Sequence, residues 1–367
     1  MAVATGTSAV AAALERALAG ERISDDDACA ILRSRDLVAV GRVANELRNR
    51  AAEPGVVTFI VDRNLNYTNV CYTDCEFCAF YRRPGDTREG YTLPKAVIFK
   101  KIEETLALGG TAVLMQGGHN PDLGIEWYED LFRSIKARYP IHLHALSPSE
   151  IQHVARKAKL TSSEALSRLR DAGLDSLPGG GAEILVDRVR RIISPKKTTS
   201  DEWLQIMRAA HRLGMSTTAT MMWGHVETLE ERVEHLRRIR DLQDEMHGFR
   251  AFISWTYQPD NTALAPQVRW NPTSFDYLLM QAVSRIYLDN VEHIQSSWVT
   301  QGMKIGQVAL AFGADDMGSI MIEENVVSAA GTTYRASTED FVHTIRNAGY
   351  QARQRDTLYR PVRDHAA

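Results

Sequence analysis

Cys71, Cys75 and Cys78, three of the four cysteines in the chain, fall in one eight-residue run, Cys71-Tyr72-Thr73-Asp74-Cys75-Glu76-Phe77-Cys78. Three thiolates in one short loop hold a 4Fe-4S cluster by three of its four irons and leave the last iron open to a further ligand. Such a site does chemistry as well as storing electrons. A structural zinc ion would want four ligands, usually in spaced pairs, and no histidine lies within the run. Cys29 stands alone and reads as a buried thiol, and clustered free thiols suit a reducing compartment.

Three glycine-rich stretches follow apolar runs further along. The first is Gln116-Gly117-Gly118-His119-Asn120-Pro121-Asp122, the second Pro178-Gly179-Gly180-Gly181-Ala182-Glu183, and the third Thr220-Met221-Met222-Trp223-Gly224-His225-Val226-Glu227. Glycine lets a backbone carbonyl approach a ligand closely, although a plain turn uses it equally well. Asp315-Asp316 is a pair of adjacent carboxylates able to receive a proton. His119, His144 and His225 are the other candidate bases, against the commoner role of histidine as a satisfied polar residue.

The cysteine spacing, with aromatic Phe77 before the third cysteine, resembles the signature of the radical S-adenosylmethionine (SAM) enzymes. The resemblance implies a 4Fe-4S cluster on Cys71, Cys75 and Cys78, with SAM bound at its open iron and cleaved to a 5′-deoxyadenosyl radical. It also implies a low-potential electron donor such as a flavodoxin or ferredoxin. In the family's terms Gln116, Gly117 and Gly118 match the motif that receives the methionine amino group, although His119 replaces the usual glutamate. Glu183 would accept the ribose hydroxyls. Arg190 would pair with the methionine carboxylate, with Lys196 or Lys197 as the alternative. Met222 and Gly224 fall in a partial match to the adenine-binding pattern, with Thr220 in place of its first glycine.

The elements that must position these groups alternate. Short apolar or β-branched runs are predicted as strands at Phe59–Tyr67, Thr111–Gln116, Ile141–Ala145, Leu174–Leu177, Ser216–Met222, Ala251–Trp255, His293–Ser297 and Ala311–Ala314, with amphipathic helices between them. Ser147, Thr161 and Thr199 each begin a capping-box pattern, and Trp203, Met207 and Ala210 share one helical face. Eight strand–helix units, with sites after the strands, define a (β/α)8 TIM-type barrel. Residues 1–55 read as a helical extension, 56–350 as the barrel and 351–367 as a C-terminal tail. Across 367 residues, 44% are hydrophobic and 24% charged, enough to bury a full core. A net charge of −3 gives no field for a nucleic-acid backbone, so small substrates are favoured. No apolar run approaches bilayer length, and a cytoplasmic enzyme is expected.

Replacing Cys71, Cys75 or Cys78 with alanine is expected to abolish cluster assembly and deoxyadenosine formation, whereas Cys29→Ala does neither. Iron analysis and product chromatography measure both, and an active Cys75→Ala protein contradicts the cluster assignment.

Overall fold

The computed structural model describes residues 3–365. The first barrel strand is one extended segment in two halves, β1 (Val56–Ile60) and β2 (Asp62–Leu65), interrupted only at Val61. It is followed by β3 (Ala112–Met115), β4 (His142–Ala145), β5 (Ser176–Leu177), β6 (Ser216–Trp223), β7 (Phe249–Thr256), β8 (His293–Gln295) and β9 (Asp316–Ser319). Consecutive strands pair in parallel from β2 through to β9. β9 then returns to β1, Thr58 opposite Asp316 and Ile60 opposite Ser319. Two further bonds, Ile320 N–H to Ile60 O at 3.1 Å and Ile322 N–H to Asp62 O at 3.2 Å, carry that seam upward. The sheet therefore closes on itself around one continuous strand, with no free edge along the seam.

The connecting helices form where the chain signals them. Ser24, Thr161 and Thr199 each make a reciprocal capping box, which satisfies two otherwise orphaned backbone donors. Gly214 takes φ +74° just past helix Ser200–Arg212, a conformation that β-carbons disfavour. Trp203, Met207 and Ala210 on that helix are fully buried. The N-terminal helices Asp25–Leu32 and Leu37–Ala51 pack on the outer helices Leu229–Met246 and Ser274–Tyr287. No helix among the described residues is long and apolar enough to cross a membrane.

Two expectations are corrected. The last barrel strand is not Ala311–Ala314, which forms a short 3-10 turn over Ala309–Phe312 and its exit, but Asp316–Ser319. Asp315 thus precedes the strand and Asp316 opens it, instead of both following it, at the end of the barrel opposite the cysteine loop. The segment beyond residue 350 is no loose tail. β10 (Gln351–Arg355) pairs in parallel with β1, and β11 (Pro361–His365) pairs antiparallel with β10. The turn between them carries Thr357 and Tyr359 into the barrel's lumen, forming its floor.

Buried charge fastens this floor. Arg355 meets Asp316 through Nε to Oδ2 at 2.5 Å and Nη2 to Oδ1 at 2.9 Å, while Thr58 Oγ1 and Gly318 N–H complete the carboxylate's shell. Removing one partner of such a pair strands the other in low dielectric, at a cost of about 3–5 kcal/mol. Asp316→Ala is accordingly expected to destabilise the protein by about that amount, read as a lowered urea midpoint. An unshifted midpoint would show the pair to be dispensable.

Candidate functional site

The cysteine loop sits at the upper mouth of the barrel, directly after β2. Cys71 and Cys75 are buried and Cys78 is half-buried. Thr73 Oγ1 lies 2.9 Å from Cys71 Sγ and 3.6 Å from Cys75 Sγ, and the His119 backbone N–H donates to Cys71 Sγ at 3.2 Å. Burial pushes the Cys75 thiol up to about 12 and raises Cys78 as well, while the Lys197 cation opposes both. Thiols that resist ionisation in the free protein ionise when metal replaces the proton, so cluster loading is coupled to proton release. Among the described residues no three donors converge on a single ion.

The glycine turn after β3 is built for the cysteine loop. A β-carbon on Gly118 would stand 2.2 Å from Val70 O and 2.8 Å from Cys71 Cβ, and one on Gly117 would meet the Tyr67 ring at 2.7 Å. Glu150 holds this turn: it accepts Gly117 N–H at 3.0 Å and Tyr67 O–H at 2.8 Å. The Ser147 hydroxyl caps its helix as expected, but the Glu150 carboxylate is committed to the turn and does not return to the cap. His119 stacks on His153 behind the loop, 5.4 Å between centroids, and its Nδ1 has no partner. Burial holds this imidazole well below its ordinary pKa.

Glu183 occupies the turn after β5 with φ +42°, a left-handed backbone unusual for a residue with a β-carbon. Its carbonyl accepts Met222 N–H at 3.0 Å, which locks the turns after β5 and β6 together. Its Oε1 takes a 3.1 Å contact from Lys197, whereas Oε2, buried at the cavity, has no hydrogen-bond partner and only a 3.6 Å ion pair with Arg190 Nη1. An unsatisfied buried carboxylate oxygen invites a ligand hydroxyl. Arg190 is employed otherwise than expected. Its donors reach Thr198 O at 2.8 Å, Ala182 O at 2.6 Å and Gly181 O at 3.0 Å, so it clamps the Glu183 turn. Lys197 is the basic residue that the structure buries beside Cys75 and Glu183, while Lys196 lies on the outside of the same loop, donating to Asp74 at 2.7 Å and Tyr72 O at 3.4 Å.

His225 donates or accepts only locally, with Met222 O at 3.1 Å and Glu227 at 3.0 Å. Glu227 in turn accepts the backbone N–H of Gly224 at 2.7 Å, and Gly224 itself packs on Pro272, which leaves no room for a β-carbon. Asp315 lies off the lumen in a buried knot with Arg285, with His293 Nδ1 at 2.6 Å and Ile294 N–H at 2.8 Å. Both its oxygens are engaged, as are those of Asp316. His144 alone of the five proposed acid–base residues lines the lumen, with Nδ1 on Ser176 Oγ at 2.6 Å. Burial drives it down to about 3, which keeps it neutral and weakly basic.

Below the cysteine loop the lumen encloses about 300 Å³, the scale of a small-molecule site. Trp255, Trp298 and Tyr359 supply aromatic wall, and Gln116, Gly180, Gly181 and Glu183 face its upper part. Asp62, Asn64 and Asn66 form a polar ladder along the first strand that motif reasoning missed, although polar residues at every second position of the expected strand were the available signal. Arg355 and Tyr359 had no signal, because nothing local connects the C-terminal strand to the lumen.

Residues 65–239 match the model of the radical SAM superfamily, and residues 246–366 match the CofH/MqnC C-terminal region. The cyclic dehypoxanthine futalosine synthase of Streptomyces coelicolor is 48% identical over 94% of this chain and 87% of its own length. The 5-amino-6-(D-ribitylamino)uracil–L-tyrosine 4-hydroxyphenyl transferase 1 of Methanosarcina barkeri is 41% identical over 89% of this chain and 87% of its own. The crystal structure of methylornithine synthase, at 17% identity, shares the fold with a TM-score of 0.71 over 92% of this chain and 96% of that one. The chain belongs to the radical SAM superfamily. Its C-terminal third, including the strand and turn that floor the barrel, carries the more particular CofH/MqnC match.

Because Gly118 packs against Cys71, Gly118→Ala is expected to lower the iron content reached on anaerobic reconstitution while leaving the circular dichroism spectrum unchanged. Full iron loading would return Gly118 to a role in SAM binding alone.

Proposed function

We propose that this chain converts dehypoxanthinyl futalosine to its cyclic product, in the futalosine route to menaquinone, acting in the cytoplasm with a low-potential flavodoxin or ferredoxin as donor. The observation that carries the reading is the 48% identity to a cyclic dehypoxanthine futalosine synthase across 94% of the chain, which includes the lumen-flooring C-terminal strand. When bound on Cys71, Cys75 and Cys78, the 4Fe-4S cluster with SAM supplies the 5′-deoxyadenosyl radical. The cysteine thiols, the His119 N–H and the Lys197 cation fit that group, and Glu183 Oε2, which receives no hydrogen bond, fits a ribose hydroxyl.

The chain's own part is binding, orientation and exclusion of water. In the proposed reaction hydrogen leaves ribose carbon 4′, the carbon radical attacks the substrate's own benzoate ring, and loss of one electron and one proton restores aromaticity. Holding sugar and ring in near-attack geometry is worth about 7–11 kcal/mol, provided the pocket is rigid. Trp255 and Trp298 offer flat apolar wall for the ring, while Asn64, Asn66 and Gln295 offer hydrogen bonds to the sugar. The floor made by Thr357 and Tyr359 closes the lumen to solvent from below.

With deuterium at ribose carbon 4′, anaerobic turnover is expected to give deuterated 5′-deoxyadenosine and a single cyclised product, with no second substrate required. Unlabelled deoxyadenosine during product formation rejects the abstraction site, and a requirement for an external radical acceptor rejects cyclisation.

A further inference from the structure

The proposed cyclisation must lose a ring proton inside a water-poor lumen, and the residues on hand differ sharply in their freedom to take it. Asp315 and Asp316 have both oxygens occupied. Glu183 is ion-paired to Lys197 at the mouth, and Glu324 spends its two oxygens on the backbone N–H groups of Val326, Val327 and Ser328. His144 faces the lumen but is a poor base. Asp62 is different. It lines the cavity, is only 7% exposed, and receives one hydrogen bond at Oδ1, from Ser319 Oγ, with no donor on Oδ2.

The surroundings of Asp62 suit proton transfer. Trp298 Nε1–H donates to Ser319 O at 2.8 Å, so the aromatic wall and the Asp62 partner are fixed to each other. The neighbouring β3 presents no charge, since Ala112 pairs with Asp62 and Leu114 faces the lumen beside it. Of the charges on adjacent strands, Arg355 on β10 favours the ionised carboxylate and Asp316 on β9 opposes it, while burial dominates and raises the group to about 6. Such a group is ionised at neutral pH and still basic enough to hold a proton briefly. From Asp62 to Asn66 the ladder rises about 13 Å at about 3.3 Å per residue, which places Asp62 deep in the lumen and Asn66 near the cysteine loop.

We propose that Asp62, resting on the cyclisation reading above, accepts the proton released when the ring regains aromaticity. The ring C–H bond at the newly joined carbon breaks and its proton passes to Asp62 Oδ2. The bond's electron pair stays in the ring, giving an aromatic radical anion, which passes its surplus electron to a one-electron acceptor of the iron–sulfur or flavin class. Ser319 is a positioning residue that orients the carboxylate.

The test uses the cluster-loaded enzyme with 4′-deuterated substrate, scoring labelled deoxyadenosine and cyclised product separately. In Asp62→Asn, label transfer is expected to persist while cyclised product falls by about 100-fold, the usual scale of a lost general base. In the unaltered enzyme, product formation should fall as pH is lowered through about 6, because the carboxylate protonates, and this limb should vanish in Asp62→Asn. Ser319→Ala, which keeps the carboxylate but removes its donor, should move the limb to higher pH. An infrared band of a protonated carboxyl, titrating near pH 6 in the cluster-free protein and lost in Asp62→Asn, gives a readout independent of turnover. An unchanged product-to-deoxyadenosine ratio in Asp62→Asn overturns the assignment, as does an unmoved limb in Ser319→Ala. Absence of label transfer in the unaltered enzyme instead overturns the cyclisation reading on which the assignment rests.

Discussion

Hydrogen bonding along both edges of the segment Val56–Leu65 is the constraint on which the rest of the structure depends. One edge meets β10 and then β3, and the other meets β9. A strand held on both sides cannot slip without reversing which side chains face the lumen. Its register therefore fixes at once the closure of the barrel, the height of the cysteine loop above it, and the direction of Asp62, Asn64 and Asn66. The Gly117-Gly118 turn presses against that segment's continuation at Tyr67, Val70 and Cys71, and Glu150 braces both by bonding Tyr67 and Gly117. Loop precision here is borrowed from strand precision.

Charge is distributed along the barrel axis to different ends. At the mouth, the Lys197 cation lies among thiols and Glu183, where anionic sulfur and a polar cosubstrate would meet it. At the floor, Arg355 and Arg285 neutralise Asp316 and Asp315, so these carboxylates serve cohesion. Between them the lumen is lined mostly by neutral polar, apolar and aromatic groups, with Asp62 as its carboxylate and His144 kept uncharged by burial. A radical intermediate benefits from walls that are close-packed and unreactive, since any loosely held hydrogen or water would divert it.

Much of this was legible in the sequence. The cysteine spacing pointed to the cluster loop, capping signals at Thr161 and Thr199 marked helix starts, and seven of the eight strands fell near their expected places. The eighth failed because Ala311–Ala314 is apolar and short, which suits a buried 3-10 turn as well as a strand, while Asp316–Ser319 carries a charge and a glycine that argue against one. That local misreading put Asp315 and Asp316 on the wrong end of the barrel. Arg190 misled for another reason: an arginine near a site can bind ligand or carbonyls, and only the fold decides. Glu150 looked like half of a capping box, yet a tertiary demand outbid the local one. The C-terminal floor was hidden because β10 pairs with β1, at the opposite end of the chain.

The first strand's neighbours arrive at very different times. β3 follows within about fifty residues, but β9 and β10 lie near the far end of the chain, at Asp316–Ser319 and Gln351–Arg355. During synthesis the edge of Val56–Ile60 therefore stays unpaired until almost all of the chain has emerged, and an open edge is a site for pairing with other molecules. The barrel is completed last where it begins, so β10, the second-to-last strand, acts as the latch on the segment that leads into the cysteine loop. Heterologous expression, appended sequences beyond residue 365 and slow translation near the end should all act through this latch, on yield more than on the chemistry of the finished enzyme.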